Sequence, residues 1–477
     1  MASEKARAGE VERRPNILFI LSDDHAAHAM SCYGSTINAT PNLDRIATEG
    51  IRFDEADCTN ALCAPSRAAI LTGVHSHHNG MMTLSTSFDS AQPTFPALMQ
   101  AAGYRTALFG KWHLGHGHGH DPVGFDEWQV LEGQGDYHDP ELIGPGGRTQ
   151  HKGYVTDVLT DLALDWLTRQ PGDQPWLLLL WHKAPHRRWF PGPQEEHLYQ
   201  GVTFPEPPTL FDDYSHRARA AQEAAIRVGR DLDEWDVKTP IPAFADQQER
   251  TSWFYQRYIA DYLRCVAGID RTTGRLLNHL DHTGQTENTL VTYASDQGFF
   301  LGDHGYFDKR FMYADSLRIP LVMRYPAEIP AGSVCTDLVL NLDLAQTFLD
   351  YAAVAAPERM QGRSLRTLCC GRPPDDWRDH IYYRYWEHLG EGVGAHVGIR
   401  TRRHKLIHYY GQALGVPGAV DEPRDPEWEL FDLEADPAEL HSVAADPEYA
   451  SVRAELTSML MRSIGEAGDV PPPSLAR

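Results

Sequence analysis

The run Cys63-Ala64-Pro65-Ser66-Arg67-Ala68-Ala69-Ile70-Leu71-Thr72-Gly73 puts a thiol where a helix should begin. Proline suits a first helical turn and glycine an end. Cys63 is therefore expected just ahead of an N-terminus whose N–H groups and dipole favour an anion and lower a thiol pKa. Two acidic pairs bring a second chemistry. Asp23-Asp24 and Asp296-Gln297 offer three carboxylates and an amide oxygen, hard ligands that suit Ca²⁺ or Mg²⁺ and not a soft transition metal. Basic residues recur in similar settings: Gly110-Lys111-Trp112-His113, Ala184-Pro185-His186 and Asp308-Lys309.

Four apolar runs must position these groups: 16–21 (NILFIL), 106–109 (TALF), 176–181 (WLLLLW) and 290–294 (LVTYA). Each ends in polar residues and alternates with helical segments, which predicts an α/β fold: a large, mostly parallel sheet sandwiched by helices. Ligands bind outside the carboxyl ends of parallel strands, so remote stretches would meet in one crevice. Thr40-Pro41 reads as the cap and first turn of a helix over 42–49, and Tyr255, Tyr258, Ile259, Tyr262, Leu263, Val266 and Ile269 form the apolar stripe of a long one. Residues 190–250 read as an insertion over the site. Residues 1–375 are expected to form the catalytic domain. Short strands at 381–387, 397–401, 405–410 and 428–433, with a helix over 447–464, predict a smaller antiparallel α+β subdomain over 376–477 that contributes to the substrate pocket.

The CxPSR core with its downstream AAILTG resembles the signature of type I sulfatases, a family of the alkaline phosphatase superfamily. The likeness runs from Arg14 to about Glu448 through RPNILFILSDDH, TPNLDRIATEGIRF, GKWHLG, KAPH, SDQGFFLGDHG, FDKRFMY and WELFDLEADP. It implies an alkaline-phosphatase-like fold. It also implies that a separate formylglycine-generating enzyme oxidises Cys63 to Cα-formylglycine, whose hydrate is the nucleophile. By the same resemblance Asp23, Asp24, Asp296 and Gln297 hold one Ca²⁺, or Mg²⁺ in its place, although many relatives carry Asn where this chain has the longer Gln297. Arg67 would hold the formylglycine, while Lys111, His113, His186 and Lys309 would bind sulfate and transfer protons. His186 would protonate the departing alcohol and His113 take the second hydroxyl's proton. His304, in Gly302-Asp303-His304-Gly305, is expected near the substrate. His396 and Arg400 lie in a stretch similar to the C-terminal strands of carbohydrate sulfatases and are expected to orient a sugar.

The substrate implied is a small sulfate monoester, a sugar of the N-acetylglucosamine-6-sulfate type. A phosphonate monoester or phosphodiester hydrolase of the same superfamily is the alternative. A non-catalytic Ca²⁺-dependent sulfated-sugar binding protein is a third reading, against which Cys63, Lys111, His113 and His186 argue. With 43 Lys and Arg against 66 Asp and Glu, the 477-residue chain has a formal charge of −23. That excludes a generally basic nucleic-acid or acidic-membrane binder. It would also repel a sulfated polymer over about 8 Å, so either basic residues cluster at the mouth or the substrate is a mono- or disaccharide cut exolytically. Seven cysteines without CxxC spacing give no disulfide framework. The charged first fifteen residues and the lack of an apolar window predict a cytoplasmic protein. His116, His118 and His120 read as a flexible Gly-rich loop, not a metal site.

Overall fold

The four apolar runs are strands, and they are neighbours. In a computed structural model, which describes residues 14–117 and 119–476, they span β1 Asn16–Ser22, β2 Arg105–Lys111, β3 Trp176–Trp181 and β4 Thr289–Ser295. They lie side by side in the order β4-β1-β3-β2, all parallel. Apart from Arg105 at the start of β2, every residue in them is buried, as expected for strands covered on both faces. His118 and most of the charged N-terminal stretch lie outside the described residues.

The register aligns the four carboxyl ends. Ser22 faces Ser295, Leu21 faces Trp181, and Trp181 faces Gly110, so the next residues of every strand emerge along one edge. Gly110 is required there: its φ is 125° and a Cβ would overlap the Trp181 carbonyl. Parallel pairing holds at the centre and recurs at one edge, where Ser333–Cys335 runs parallel to Ile51–Phe53, but antiparallel strands intervene. Strand Leu321–Arg324 is antiparallel to β4, and beyond parallel Glu127–Leu131 the strands Glu141–Gly144 and Gly147–Gln150 form an antiparallel ribbon. The ten-stranded sheet is therefore mixed, because short hairpins, unlike crossovers, can extend its edges.

Helices cover both faces. Helix α1 (Pro41–Thr48) follows Thr40, whose hydroxyl donates to the Asp44 carboxylate at 3.0 Å, accepts from Ser31 N–H and caps no N–H of the helix. The free N–H groups of Asn42 and Leu43 donate instead to Asp270, at 2.9 and 2.8 Å. Asp270 belongs to the 36-residue helix Gln247–His282, so a remote helix performs the capping. Helix α2 (Cys63–Thr72) ends at Gly73 with φ 63°. No helix among the described residues is long and apolar enough to cross a membrane.

The C-terminal strands β5 His380–Tyr385, β6 His396–Thr401, β7 His404–Tyr409 and β8 Glu427–Asp432 form one antiparallel sheet. Alternation divides its faces. Ile381, Tyr383, Tyr385, Ile407 and Tyr409 join the main core, while Tyr382, Val397, Ile399 and Leu406 pack with Leu456, Leu460 and Ile464 of helix Ala450–Glu466.

Candidate active site

The common edge collects the chemistry. Asp23 and Asp24 follow β1, Asp296 and Gln297 follow β4, Lys111 ends β2, and the 182–186 segment follows β3. Backbone bonds tie these ends together: Asp23 N–H donates to the Ala184 carbonyl and Asp296 N–H to that of Ser22, both at 3.2 Å. Asp24 has φ 69° and His113 φ 59°. Such left-handed backbone costs of order 1–3 kcal/mol and persists where the surroundings impose it. For Asp24 the restraint is visible, since its carbonyl accepts from Tyr262 at 2.7 Å, while the Tyr262 oxygen accepts from Ala26 N–H at 2.8 Å.

Cys63 and Arg67 stand four residues apart in α2 and so share one face. Arg67 is buried. Its Nε donates to Asp296 at 2.9 Å and its Nη1 to the Lys111 carbonyl at 2.6 Å. Lys111 Nζ contacts Asp23, and Lys309 Nζ donates to Asp24 at 2.7 Å. The Cys63 Sγ, an Asp23 oxygen and a His186 ring nitrogen lie within 4.8 Å of one another. Gln297 Nε2 donates to Asp24 at 2.5 Å and lies 3.8 Å from Cys63 Sγ. Thus Cys63, Arg67, Lys111, His186, Lys309, Asp23, Asp24, Asp296 and Gln297 converge. His113 borders the group through Gln134, 3.4 Å from its Nε2.

The thiol does not behave as its helix position suggests. Cys63 lies within the first turn, with Leu62 at the N-cap, and is 1% exposed. Burial, reinforced by Asp23 and only partly offset by Lys111 and Lys309, pushes its pKa up to about 12. The thiolate is therefore disfavoured, so an unmodified Cys63 is a poor nucleophile. Burial, together with Lys111, also holds His113 and His186 well below the usual imidazole range. His186 Nδ1 lies 2.6 Å from the Arg187 carbonyl. A neutral ring therefore donates there and presents a bare Nε2, 3.7 Å from Asp24.

The donor set fits a hard cation. Carboxylate oxygens of Asp23, Asp24 and Asp296 lie within 4.8 Å of one another. Asp23 Oδ1 and Gln297 Oε1 are buried acceptors that receive no hydrogen bond. Burial and mutual repulsion raise Asp24 to about 6 and Asp296 to about 7, while Lys111, His186, Arg67 and Lys309 outweigh burial and hold Asp23 well below the carboxylate range. Three carboxylates and the three cations Arg67, Lys111 and Lys309 cancel formally. A divalent ion would leave the pocket at +2, a charge suited to an anionic ester.

Three expected substrate residues are placed elsewhere. His396 is fully buried, with its Nδ1 2.8 Å from the Gly394 carbonyl and its ring among Phe311, Tyr383, Tyr385 and Tyr409. His304 is 2% exposed, its Nδ1 3.1 Å from Arg217 Nη1 in a contact that ties the 190–250 segment to the main body. Arg400 pairs with Asp57 and Glu55 and pins the C-terminal sheet to the catalytic unit. Breaking a buried pair leaves an uncompensated charge, so Arg400→Met should lower unfolding free energy by about 3 kcal/mol in denaturant titration. KM should not change in step; a selective rise in KM with stability intact would restore the substrate role.

The residues missed in the sequence are Gln134 and Lys183. Gln134 Oε1 accepts from Lys111 at 2.5 Å and its carbonyl from Lys183 at 3.0 Å. It lies just beyond Glu127–Leu131, the next parallel strand, so the strand-end rule would have found it. Burial and Lys111 lower Lys183 to about 8. These residues open onto a cavity of about 550 Å³ lined by residues 134–138, Lys183, His186, Arg187, Arg188 and Phe190. Three basic residues, Lys183, Arg187 and Arg188, do gather in its lining. Among the described residues no C-terminal one lines this cavity; the C-terminal sheet instead braces the Lys309 loop, where Tyr383 donates to the Arg310 carbonyl at 2.8 Å and Tyr385 and Glu387 receive the Arg310 guanidinium.

Comparison with known proteins follows the same outline. A family model described as "Sulfatase" matches residues 15–354, and one described as "N-sulphoglucosamine sulphohydrolase, C-terminal" matches residues 302–466. The chain is 42% identical to an N-acetylglucosamine-6-O-sulfatase of Bacteroides thetaiotaomicron, over 94% of this chain and 86% of that protein. To the human N-acetylglucosamine-6-sulfatase it is 29% identical, over 80% of this chain and 68% of that protein. A solved structure of a protein in complex with its substrate D-glucosamine-2-N,6-O-disulfate superposes with TM-score 0.89 at 41% identity, covering 96% of this chain and 99% of that one. A phosphonate monoester hydrolase from Silicibacter pomeroyi shares the fold at TM-score 0.75 and 24% identity, over 95% and 96%.

Proposed function

We propose, on the premise that this chain belongs to the sulfatase family and is a sulfuric ester hydrolase, that it removes the 6-sulfate from an N-acetylglucosamine-type sugar through a formylglycine at position 63 and a divalent cation. The observation that carries this reading is the convergence of Cys63, three carboxylates, Gln297 and a ring of cations on one strand edge beside a cavity. The relatives named for this activity support the substrate. The charge balance supports an anionic ester.

Formylglycine, made from Cys63 by a separate enzyme, would supply a hydrated aldehyde, whose two hydroxyls offer a nucleophile towards sulfur and a means of expelling sulfate. The cation, Ca²⁺ or Mg²⁺, would be held by Asp23, Asp24, Asp296 and Gln297 and would supply Lewis-acid stabilisation of developing charge. Arg67 fixes Asp296 and the Lys111 backbone. Lys111 and Lys309 offer fixed positive charge to equatorial oxygens, an arrangement that stabilises charge developing in the transition state. His186 protonates the departing sugar hydroxyl from Nε2, its ring aimed by the Arg187 carbonyl. It is neutral in the free enzyme, so the incoming ester must raise its affinity for that proton. His113 would take the proton of the second hydroxyl.

Residues 1–375 act in this reading as the catalytic unit and 376–477 as its brace. Sulfate release from N-acetylglucosamine-6-sulfate should exceed phenylphosphonate ester cleavage in kcat/KM by more than tenfold, and a reversed preference would favour the phosphonate hydrolase alternative. His186→Ala should cost about 10³-fold on the sugar and much less on nitrophenyl sulfate, whose leaving group needs no proton. Equal losses on both would remove His186 as the acid.

A further inference from the structure

The open cavity beside His186 is larger than one sulfate needs; at about 550 Å³ it falls in the size range of ligand-binding clefts. Its cations are not equivalent. Arg187 is committed, with Nε and Nη2 donating to Asp236 at 2.7 and 2.6 Å and its guanidinium 4.8 Å from the Phe307 ring centroid. Lys183 donates to the Gln134 carbonyl. Arg188 makes no hydrogen bond among the described residues. It forms looser ion pairs with Asp236 and Asp233, at 3.5 and 4.0 Å, and its side chain is 43% exposed.

The Arg188 guanidinium carbon lies 5.6 Å from the ring centroid of Trp235, which is 69% exposed. A single exposed aromatic needs no explanation. This one is held against the half-exposed guanidinium of Arg188, a residue of the cavity lining, by a device that also fixes the wall. Asp233 and Asp236 form a reciprocal capping box around the Glu234–Val237 turn, and buried Asp236 is the group that grips Arg187, next in sequence to both His186 and Arg188. Two residues of chain reach about 7 Å at most, so Arg188 and His186, which line the same cavity, stand within reach of neighbouring sugar units.

We infer that Arg188 and Trp235 form a subsite for the sugar unit adjoining the one that bears the scissile sulfate. That ring stacks on the indole, and an anionic substituent on it, carboxylate or sulfate, pairs with the guanidinium fork. The inference rests on the sugar-sulfate reading above but can be tested apart from turnover. The full-length Cys63→Ala chain with Ca²⁺ is titrated by calorimetry with 6-O-sulfated N-acetylglucosamine, with that unit linked to a uronic acid, and with the same disaccharide after reduction of its carboxylate.

Trp235→Ala and Arg188→Ala should each weaken the uronic disaccharide at least tenfold more than the monosaccharide, and Arg188→Lys should not restore it. With the reduced disaccharide the Arg188 effect should vanish and the Trp235 effect persist. Equal weakening of mono- and disaccharide, no weakening, or no binding of either sugar would overturn the subsite. Should the unsubstituted enzyme release no sulfate from these sugars while the binding difference persists, the proposed activity fails and the subsite stands.

Discussion

Cys63→Ala is expected to lower kcat/KM for sulfate release by roughly 10⁴-fold or more, the scale on which loss of a nucleophile registers. Melting temperature should shift little, because Cys63 packs in a polar pocket and makes no hydrogen bond shorter than 3.8 Å. Cys63→Ser separates the proposed chemistry from a simple nucleophile. A serine hydroxyl could attack sulfur and release the sugar, but it has no second hydroxyl with which to expel sulfate. The variant should give a burst of alcohol equal to the enzyme and then stop, with sulfate retained on the protein. Chain produced without a formylglycine-generating enzyme should carry a thiol and be inactive, since burial beside Asp23 holds that thiol near 12. Full activity from the thiol form, or steady turnover by Cys63→Ser, would refute the scheme.

Removal of the divalent ion should have the next largest effect, visible without turnover. Treatment with a chelator should abolish activity and lower the melting temperature, and Ca²⁺ should restore both in a concentration-dependent way. Binding to the folded state alone contributes about 2.7 kcal/mol at a hundred times Kd. Zn²⁺ should restore less, because the donors are all oxygen. Asp23→Asn keeps the shape and removes one charge, so it should weaken the ion's affinity and cost about 10²–10³-fold in kcat/KM, as when one transition-state stabiliser is lost. A melting curve indifferent to both chelator and Ca²⁺ would show that these carboxylates serve only Arg67, Lys111 and Lys309.

Much of the site was legible because the same pattern announces strand and chemistry: a buried apolar run followed by polar residues fixes where a parallel strand ends. Ser22, Trp181, Gly110 and Ser295 align in register, and Asp23, His186, Lys111 and Asp296 follow from that. What was illegible depends on partners remote in sequence. The pKa of Cys63 is set by burial and by Asp23, forty residues away, which outweigh the helix N-terminus. Thr40 looked like a cap until Asp270 took the N–H groups it would have bound. His396 and Arg400 sit in a stretch rich in aromatic and basic residues, as a sugar site would, but strand alternation turns His396 into the core and the Asp57 and Glu55 carboxylates claim Arg400. The overall charge of −23 likewise hid the local basic lining of Lys183, Arg187 and Arg188.

The most direct measurement is a crystal structure of protein shown to be turning over, at a resolution that distinguishes the substituents on the side-chain carbon of residue 63. The expected result is oxygen, not sulfur, on that carbon, beside a single ion ligated at about 2.3–2.6 Å by Asp23, Asp24, Asp296 and Gln297. A sulfur atom at residue 63 in fully active protein, or an ion bound away from these four side chains, would contradict it.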